Sequence, residues 1–275
     1  MLKKIIALLS LILFPSELIF CQFEKFAVSA KRTETPPLID GSLKDNVWSN
    51  VPTISDFIQF EPDKGNPASV KTVVKILYDD DYIYFGFLCF DPEPKKIVLG
   101  SNRRDSLDTK TGTDSVTVEL DTFNDDRSSY YFRTNPLGTQ MDGRISDNGR
   151  VADNDWDGTW KSGGTMTEEG WSAEIAIPFK HIKYMPGKNQ TWGLQLSRYF
   201  LRRFEKSFWT GPLEDYRKVE VNGSLTGLDL KKSPQNLKTI PHVISRLQDD
   251  EKSNFNAGLD ASYAFSPSIS GYLTI

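Results

Sequence analysis

The sequence predicts an all-β protein whose main part is a β-sandwich. From Val70 onward, apolar and polar residues alternate with a period of two, and segments with helical periodicity are hard to find. Clusters of Asp, Asn, Gly and Pro recur between the alternating segments, as expected for turns. Regularly spaced strands separated by such turns are typical of a β-sandwich.

Each predicted strand carries apolar residues that a sandwich can bury. The segment 82–90 is almost continuous in aromatic and aliphatic residues, whereas 116–121 and 171–177 alternate strictly, with one apolar face each. In chain order the predicted strands are 70–78, 82–90, 116–121, 130–133, 171–177 and 192–196.

Composition and charge restrict the classes of partner. The chain has 275 residues, 12% of them aromatic, with 33 Lys and Arg against 37 Asp and Glu. This aromatic content excludes wholesale disorder, and a formal net charge of −4 without a long basic stripe argues against nucleic acid. Cys89 lies inside an apolar run and is predicted to be a small core residue.

Residues 1–22 are predicted to be an export signal. Lys3 and Lys4 precede an apolar run over 5–14, and Phe20-Cys21-Gln22 is a candidate cleavage site. The apolar run is shorter than the roughly 20 residues that cross a bilayer. A retained anchor and lipidation at Cys21 are the alternatives.

The composition changes after Leu230. Residues 23–230 are predicted to form the sandwich, and the more polar segment 231–254 a linker. Within 255–275, two alternating segments flank a tight turn, in the pattern of a transmembrane β-barrel hairpin. The pattern alone favours the alternative, a soluble hairpin, although an isolated pair of strands is marginally stable and suggests a fragment. The first hairpin of a truncated β-barrel-like domain becomes the favoured prediction only through the subgroup resemblance described below.

A series of short motifs runs over roughly residues 36–230. It opens with Ile39-Asp40-Gly41-Ser42-Leu43 and Val47-Trp48, and it closes with Gly223-Ser224-Leu225. The motifs between them are Tyr78-Asp79-Asp80-Asp81-Tyr82-Ile83-Tyr84, Asp114-Ser115-Val116, Phe132-Arg133-Thr134-Asn135, Gly170-Trp171-Ser172-Ala173-Glu174 and Ile177-Pro178. In this order and spacing they resemble carbohydrate-binding module family 9, which implies a β-sandwich and carbohydrate binding.

Three further sequence motifs make the family resemblance more specific. Arg103-Arg104-Asp105, Asp121-Thr122-Phe123-Asn124-Asp125 and Trp156-Asp157-Gly158-Thr159-Trp160 resemble a subgroup of bacterial cell-envelope proteins. In that subgroup the module precedes a C-terminal domain of unknown function that is similar to an outer-membrane barrel. The resemblance therefore implies an exported protein associated with the outer membrane, on a side of that membrane that it does not specify.

The family resemblance also implies a binding site. Its sugar-binding members hold the end of a glycan between two tryptophans, whose positions here fall near Thr111 and near Tyr216. Arg133 matches an arginine that hydrogen-bonds sugar hydroxyls. Thr117 replaces an acidic residue of the family, and Glu119, on the same strand face, is expected to substitute for it.

Other aromatic residues are candidates for the same site. Sugars stack their apolar faces on flat aromatic rings, and Trp209 is predicted to do so beside Tyr216 and Arg133. Trp156 and Trp160 lie on a loop predicted to be adjacent. The alternative for both is that they pack in the core.

An acidic segment has the spacing that opens a calcium-binding loop. Asp153, Asp155 and Asp157 alternate and are followed by glycine, but position twelve is Gly164 instead of the closing Glu, which excludes an EF-hand. A looser site that adds Asp147 is predicted as a possible structural calcium site. A solvated acidic loop is the alternative.

The sequence contains no recognisable catalytic signature. The serine-hydrolase, zinc-protease, P-loop and CxxC motifs are absent, and His181 and His242 lie outside any ligand spacing. Paired carboxylates would suffice for glycoside hydrolysis, but the sequence alone cannot select a pair. No catalytic residue is therefore assigned, and any association with O-glycosyl hydrolases rests on the family alone.

These observations lead to one main hypothesis and two alternatives. The main hypothesis is an exported, non-catalytic module that binds a polysaccharide or oligosaccharide, supports carbohydrate catabolism and is joined to an outer-membrane barrel. The first alternative is a structural or plug-like module of that barrel without sugar binding. The second and weaker alternative is an O-glycosyl hydrolase.

Overall fold

The structure is a computed structural model that describes residues 26–107, 112–231, 237–248, 251–265 and 270–275. The predicted export signal and the position near Thr111 lie outside the described residues. In chain order the strands are β1 (Ala27–Ser29), β2 (Lys31–Arg32), β3 (Thr53–Ile54), β4 (Ile58–Glu61), β5 (Thr72–Tyr78), β6 (Tyr82–Phe90), β7 (Ser115–Asp121), β8 (Ser129–Thr134), β9 (Gln140–Ser146), β10 (Val151–Asp153), β11 (Lys161–Thr167), β12 (Gly170–Pro178), β13 (Gly187–Phe200), β14 (Glu205–Phe208), β15 (Gly223–Leu230), β16 (Leu237–Gln248), β17 (Glu251–Ala264) and β18 (Ser270–Thr274).

Helical structure in the described residues is limited to short 3-10 turns between strands. They are Asn46–Trp48, Pro94–Lys96, Phe179–His181, Leu201–Arg203 and Val219–Val221. Among the described residues, no helix has both the length and the hydropathy to cross a membrane. The predicted all-β class is confirmed.

The larger sheet has the strand order β1-β15-β13-β7-β8-β9-β10, and β14 joins β13 to β4. Its central strands bury one face completely, because Val116, Val118 and Leu120 of β7 pack inside with Leu194 and Leu196 of β13. The opposite face of the same strands carries polar residues. This alternation is the one predicted from the sequence, and it places a row of polar side chains on the outside of the sandwich.

The second sheet has the order β11-β12-β6-β5-β2, with β3 also paired to β5. Its inner face packs on the larger sheet through residues such as Phe85, Phe87 and Ile175. Cys89 is 1% exposed, and burial raises the pKa of its thiol to about 12. The two stacked sheets confirm the predicted β-sandwich, and Cys89 is the core residue that its apolar run predicted.

A buried arginine joins the two sheets. Arg198 of β13 is 2% exposed, and its Nη1 donates to the Lys71 carbonyl (3.0 Å) and to Thr72 Oγ1 (3.2 Å). Its Nη2 donates to the Phe90 carbonyl (3.0 Å). Because a buried guanidinium needs acceptors, these bonds fix the position of β13 relative to β5 and β6.

Two of the sequence motifs meet in space. Glu174 of β12 accepts hydrogen bonds from the main-chain N–H groups of Asp40 (3.0 Å) and Gly41 (2.9 Å), and from Trp48 Nε1 (2.8 Å). Burial raises the pKa of Glu174, although these donors act in the opposite direction. The segment 39–48 is thereby fastened to the second sheet.

The C-terminal strands form a separate three-stranded sheet, β16-β17-β18. Strand β16 pairs with β17 from Leu237↔Tyr263 to Gln248↔Glu251, so most of the segment expected to be a linker, 231–254, is strand. The charged residues of this segment obscure the alternation of apolar and polar residues in the sequence. The segment forms a strand because it hydrogen-bonds to β17. The predicted alternating segments within 255–275 are confirmed as β17 and β18.

Candidate functional site

The sheet cavity, with a volume of about 260 Å³, lies on the outer polar face of the larger sheet. Every second residue of β7, β8 and β13 faces it. Glu119 lies opposite Tyr131 and Gln195 across the strands, and Thr117 lies opposite Arg133. The cavity floor is therefore a grid of hydroxyl, amide, carboxyl and guanidinium groups.

Glu119 is the carboxylate of this floor. It is 9% exposed, and its Oε1 accepts a hydrogen bond from Ser129 Oγ (2.8 Å). Burial raises the pKa of Glu119 to about 7, because the charged form loses hydration, while the Ser129 hydroxyl partly offsets the shift. The side chain can therefore either donate or accept a hydrogen bond near neutral pH.

Arg133 lies beside Glu119 on the neighbouring strand. Its Nε donates to Thr117 Oγ1 (3.0 Å), and its Nη1 donates to the Leu107 carbonyl (3.0 Å). These two bonds orient the guanidinium along the floor, so that its donors are held in a fixed plane. Arg133 and Glu119, two of the predicted sugar-binding residues, therefore lie on adjacent strands of one sheet.

An aromatic wall bounds the cavity. Tyr216 stacks on Phe208, with 5.3 Å between ring centroids and 26° between ring planes, and Phe60 packs edge-on against Tyr216 at 4.9 Å. Lys206 Nζ lies 5.4 Å from the Tyr216 centroid and pairs with Glu61 Oε2 (3.0 Å). The half-buried Tyr216 ring is thereby held in one orientation.

Two loops meet at the edge of the cavity. Gly149, with φ +87°, approaches Arg217 so closely that an added Cβ would lie 2.2 Å from the Arg217 carbonyl oxygen. Next to this contact, Asn148 Nδ2 donates to Glu220 Oε2 (2.9 Å), and the Glu220 N–H donates to Asn148 Oδ1 (3.2 Å). The wall is therefore continuous from the β9–β10 turn to the segment that carries Tyr216.

Three of the predicted sugar-binding residues meet in this cavity, and three do not. Arg133, Glu119 and Tyr216 line it. Trp209 does not, because it is 6% exposed and packs in the core against Phe26, with 5.8 Å between centroids. Its neighbour Phe208 takes the place in the wall.

Trp156 and Trp160 also belong to the core side of the sheet. Trp160 is 6% exposed and packs edge-on against Phe132 at 5.4 Å. Trp156 is half-buried and contacts Tyr130 and Phe132, with centroid distances of 5.0 and 6.1 Å. Neither lines the sheet cavity, and the core alternative describes both.

The four aspartates of the predicted calcium site have different partners. Asp153 pairs with Arg144 (2.6 Å), and Asp147 pairs with Arg150 (3.4 Å). Asp155 is exposed, and its main-chain N–H donates to Asp153 Oδ1 (3.3 Å). The described geometry therefore does not gather these four carboxylates into the predicted site.

Asp157 instead approaches Asp105 and Asp142, whose carboxylate oxygens lie within 4.8 Å of one another. Arg104 forms ion pairs with all three, at 3.1 Å to Asp157 and 3.5 Å to Asp105. The guanidinium already supplies the positive charge that a calcium ion would bring. These residues therefore do not fit a calcium site.

Several cavity residues were not predicted from the sequence. Lys206 and Phe208 line the cavity from β14, and Phe60 of β4 packs against Tyr216; both are four-residue strands that are too short to show a period. Tyr131 and Gln195 could have been found, because both lie within predicted strands. Tyr131 is two residues from Arg133 and so shares its strand face, and Gln195 alternates with Leu194 and Leu196, which are buried. The arrangement as a whole offers a flat aromatic face beside fixed hydrogen-bonding groups, which suits a ligand that is apolar on one side and rich in hydroxyls.

Comparison with known proteins identifies the family of the chain and proteins of similar fold. The sequence model of the family described as "Carbohydrate family 9 binding domain-like" matches residues 39–200. A carbohydrate binding module family 9 from Caldicellulosiruptor kristjanssonii, solved in complex with cellotriose, is 17% identical and superposes with a TM-score of 0.53, covering 76% of this chain and 95% of that one. The same kind of module from that organism in complex with glucose gives 16% identity and a TM-score of 0.54, covering 76% and 98%.

A third solved structure, from Bacteroides uniformis ATCC 8492, is provisionally named a carbohydrate-binding protein. It is 12% identical and superposes with a TM-score of 0.58, covering 74% of this chain and 99% of that one. No curated protein matches the chain. At these identities the solved structures establish the shared fold.

Proposed function

The chain belongs to the carbohydrate family 9 binding domain-like family, and from that premise we propose that it binds an oligosaccharide in the sheet cavity without catalysing a reaction. The observation that carries this proposal is the Tyr216 ring, held against Phe208 and Phe60 beside the polar floor of Glu119 and Arg133. Two solved modules of similar fold hold cellotriose and glucose, which supports a glucose-based ligand.

The aromatic wall suits the apolar side of a pyranose. A sugar ring presents C–H groups on its face, and an aromatic ring provides a flat apolar surface for them. Phe208 and Phe60 fix the Tyr216 ring before any ligand arrives, so little side-chain entropy is lost on binding. A single aromatic wall takes the place of the two tryptophans that the family resemblance implied.

The floor suits the hydroxyl groups of the sugar. Arg133 supplies donors in a fixed plane, and Glu119 supplies an acceptor when charged and a donor when protonated. Thr117 and Ser197 add hydroxyls, which can both donate and accept. At about 260 Å³ the cavity lies near the lower end of small-molecule sites, roughly 300 to 1,000 Å³, and is suited to one or two sugar rings.

Calorimetric titration with cellotriose and glucose tests the proposal. We expect saturable binding, and we expect Tyr216→Ala to weaken it by about tenfold or more, as for a buried aromatic contact. Tyr272→Ala is the matched control, because Tyr272 is 82% exposed on the separate C-terminal sheet. Flat titrations over a wider glycan panel would refute the proposal, and release of reducing ends would support the hydrolase alternative instead.

We also propose that the protein is exported and that its C-terminal strands associate with the outer membrane. The register of β16–β18 puts apolar side chains on one face of that sheet, and Leu237, Val243 and Leu273 there are 59%, 71% and 58% exposed. The opposite face is mixed, because it carries Lys238 and His242, whose Nδ1 lies 3.6 Å from Asp260 Oδ2, together with Ile240 and Ile244. One continuous apolar face is the pattern of strands that contact lipid on that side.

Membrane fractionation of cells that produce the full chain tests this second proposal. We expect the protein in the outer-membrane fraction, and we expect Val243→Asp to reduce that share, whereas Lys238→Asp on the other face has less effect. Recovery in a soluble fraction would overturn it. A membrane-bound protein that gives flat glycan titrations would support the structural or plug-like alternative.

A further inference from the structure

A second cavity, here called the end cavity, lies on the other side of β10 from the sheet cavity. Val151 and Asp153 of that strand line the end cavity, whereas Ala152 between them lines the sheet cavity. The end cavity has a volume of about 320 Å³, and Lys183 and Arg144 also line it. The end cavity therefore lies on the opposite face of β10 from the sheet cavity, and Ile145 of β9 lines both.

Positive charge accumulates in the end cavity. The pKa of Lys183 is lowered, first by partial burial and then by the positive charges of Arg144 and Lys238. Among the described residues that line the end cavity, the carboxylate is Asp153, which forms an ion pair with Arg144 (2.6 Å). No carboxylate of the described residues lies within ion-pair distance of Lys183 Nζ. The two cations of the lining, Lys183 and Arg144, therefore share one anion, and Lys238 adds positive charge from outside the lining.

Hydrogen-bond donors point to the same place. Tyr130 is 9% exposed, and its hydroxyl oxygen accepts a bond from the Lys183 main-chain N–H (3.3 Å). Within the described part of the chain, the hydroxyl proton of Tyr130 has no acceptor. A buried O–H group without an acceptor is costly, so a ligand oxygen at this position would be stabilised.

We propose that the end cavity is an oxyanion site that takes a phosphate or sulfate group, held by Lys183, Arg144 and the Tyr130 hydroxyl. Such a group carries several acceptor oxygens around one centre, and so it can accept from all three side chains at once. Its negative charge also relieves the repulsion among the cations, which no carboxylate of the described lining does for Lys183. The three side chains that hold the oxyanion are not among those proposed to hold the sugar in the sheet cavity.

Titration of the full chain with inorganic phosphate and with sulfate, against chloride at equal ionic strength, tests the proposal. We expect saturable binding of phosphate or sulfate, with Lys183→Gln raising the dissociation constant about tenfold or more, as for a lost charged hydrogen bond. Lys183→Arg keeps the charge and should retain binding. The matched control is Lys180→Gln, an exposed lysine nearby, which should leave the affinity unchanged.

A second readout follows the Lys183 amine by NMR. Its pKa should rise when phosphate binds, because the anion stabilises the charged form. Binding that does not saturate, that chloride reproduces, or that Lys180→Gln weakens as much as Lys183→Gln would overturn the proposal. Competition by glucose 6-phosphate and by glycerol phosphate then identifies the molecule that carries the phosphate group. Stronger competition by glucose 6-phosphate indicates a phosphorylated sugar, and stronger competition by glycerol phosphate indicates a lipid-type headgroup. Competition by either compound supports the oxyanion site.

Discussion

The rings of Tyr216 and Phe208 are stacked, with 5.3 Å between their centroids and 26° between their planes. Phe208 belongs to β14, whereas Tyr216 lies in the following loop, so the contact joins a loop to the sheet. Such a pair contributes about 0.5 to 1.5 kcal/mol beyond the area it buries. The orientation of the proposed sugar-stacking face therefore depends on a residue beneath it.

The first prediction is that Phe208→Leu weakens cellotriose binding although Leu keeps most of the buried bulk. Without the Phe208 ring, Tyr216 loses its fixed orientation and must be ordered by the ligand. A double-mutant cycle with Tyr216→Ala, measured by calorimetry, should give a coupling energy of about 0.5 to 1.5 kcal/mol. Phe204→Leu, at a 69% exposed position, is the control, and strictly additive effects of Phe208→Leu and Tyr216→Ala would contradict the prediction.

The second prediction concerns Glu119 and pH. Its pKa rises from 4.5 to about 7 on folding, so the folded state binds more protons than the unfolded state between these values. The stability associated with the protonated carboxyl is therefore fully present below pH 4.5 and is lost as pH rises through 7. Relative to Glu119→Gln, the wild-type protein should lose about 2 to 3 kcal/mol of unfolding free energy over this range.

Urea unfolding of both proteins at pH 5 and pH 8 measures that difference. Buried carboxyls that do not interact with Glu119 contribute equally to both proteins and cancel in the comparison. Asp121, with a pKa of about 6, is an exception, because its charge raises the pKa of Glu119 and the two groups titrate together. Glu168→Gln, at an exposed position, should follow the wild-type curve. Parallel pH profiles for Glu119→Gln and wild type would show that Glu119 titrates as it does in water.

The third prediction is that Gly149→Ala separates the two loops at the edge of the sheet cavity. An added Cβ would lie 2.2 Å from the Arg217 carbonyl oxygen, so the main chain must shift. Gly65→Ala is a well-matched control, because φ is +86° there and +87° at Gly149, but no atom lies within 4 Å of its Cβ position. Gly149→Ala should therefore lower the melting temperature more than Gly65→Ala and weaken cellotriose binding, whereas equal effects would indicate backbone strain alone.

The fourth prediction is that Glu174→Ala destabilises the sandwich by about 3 kcal/mol or more. The change leaves the N–H groups of Asp40 and Gly41 and the Trp48 indole without their acceptor, and unsatisfied buried donors cost about 1 to 3 kcal/mol each. Urea unfolding measures the loss. Glu169→Ala, at an exposed position on the preceding turn, should change stability by less than about 0.5 kcal/mol.

Strand periodicity was sufficient to predict the sandwich, because both faces of its long strands differ in polarity. Glu119 and Arg133 could be placed in one site because of the family resemblance, and the period of two added only that Glu119 shares a strand face with Thr117. Trp209 shows where this reasoning ends. It follows the four-residue strand β14, and which of Phe208 and Trp209 faces outward depends on packing of Trp209 against Phe26, far away in sequence.

The predicted calcium site of the acidic segment is not formed in the described structure, for a related reason. The spacing of Asp153, Asp155 and Asp157 suggested a shared cation, but spacing does not reveal which arginine folds against each carboxylate. Arg144 lies opposite Asp153 on the adjacent strand β9, whereas Arg104 comes from a distant segment, and the two arginines pair with Asp153 and Asp157 separately. Charge compensation between distant segments is a tertiary property, and a motif without its closing ligand does not predict it.

Ser129 lines the end cavity, while its hydroxyl donates to Glu119 on the floor of the sheet cavity. The hydroxyl proton of Ser129 thus connects the lining of the end cavity to the floor of the sheet cavity. An oxyanion that draws the Ser129 hydroxyl away would leave the Glu119 carboxylate without this donor and raise its proton affinity. Thermodynamic linkage then requires reciprocity: whatever factor an oxyanion applies to the affinity for a sugar, the sugar must apply to the affinity for the oxyanion.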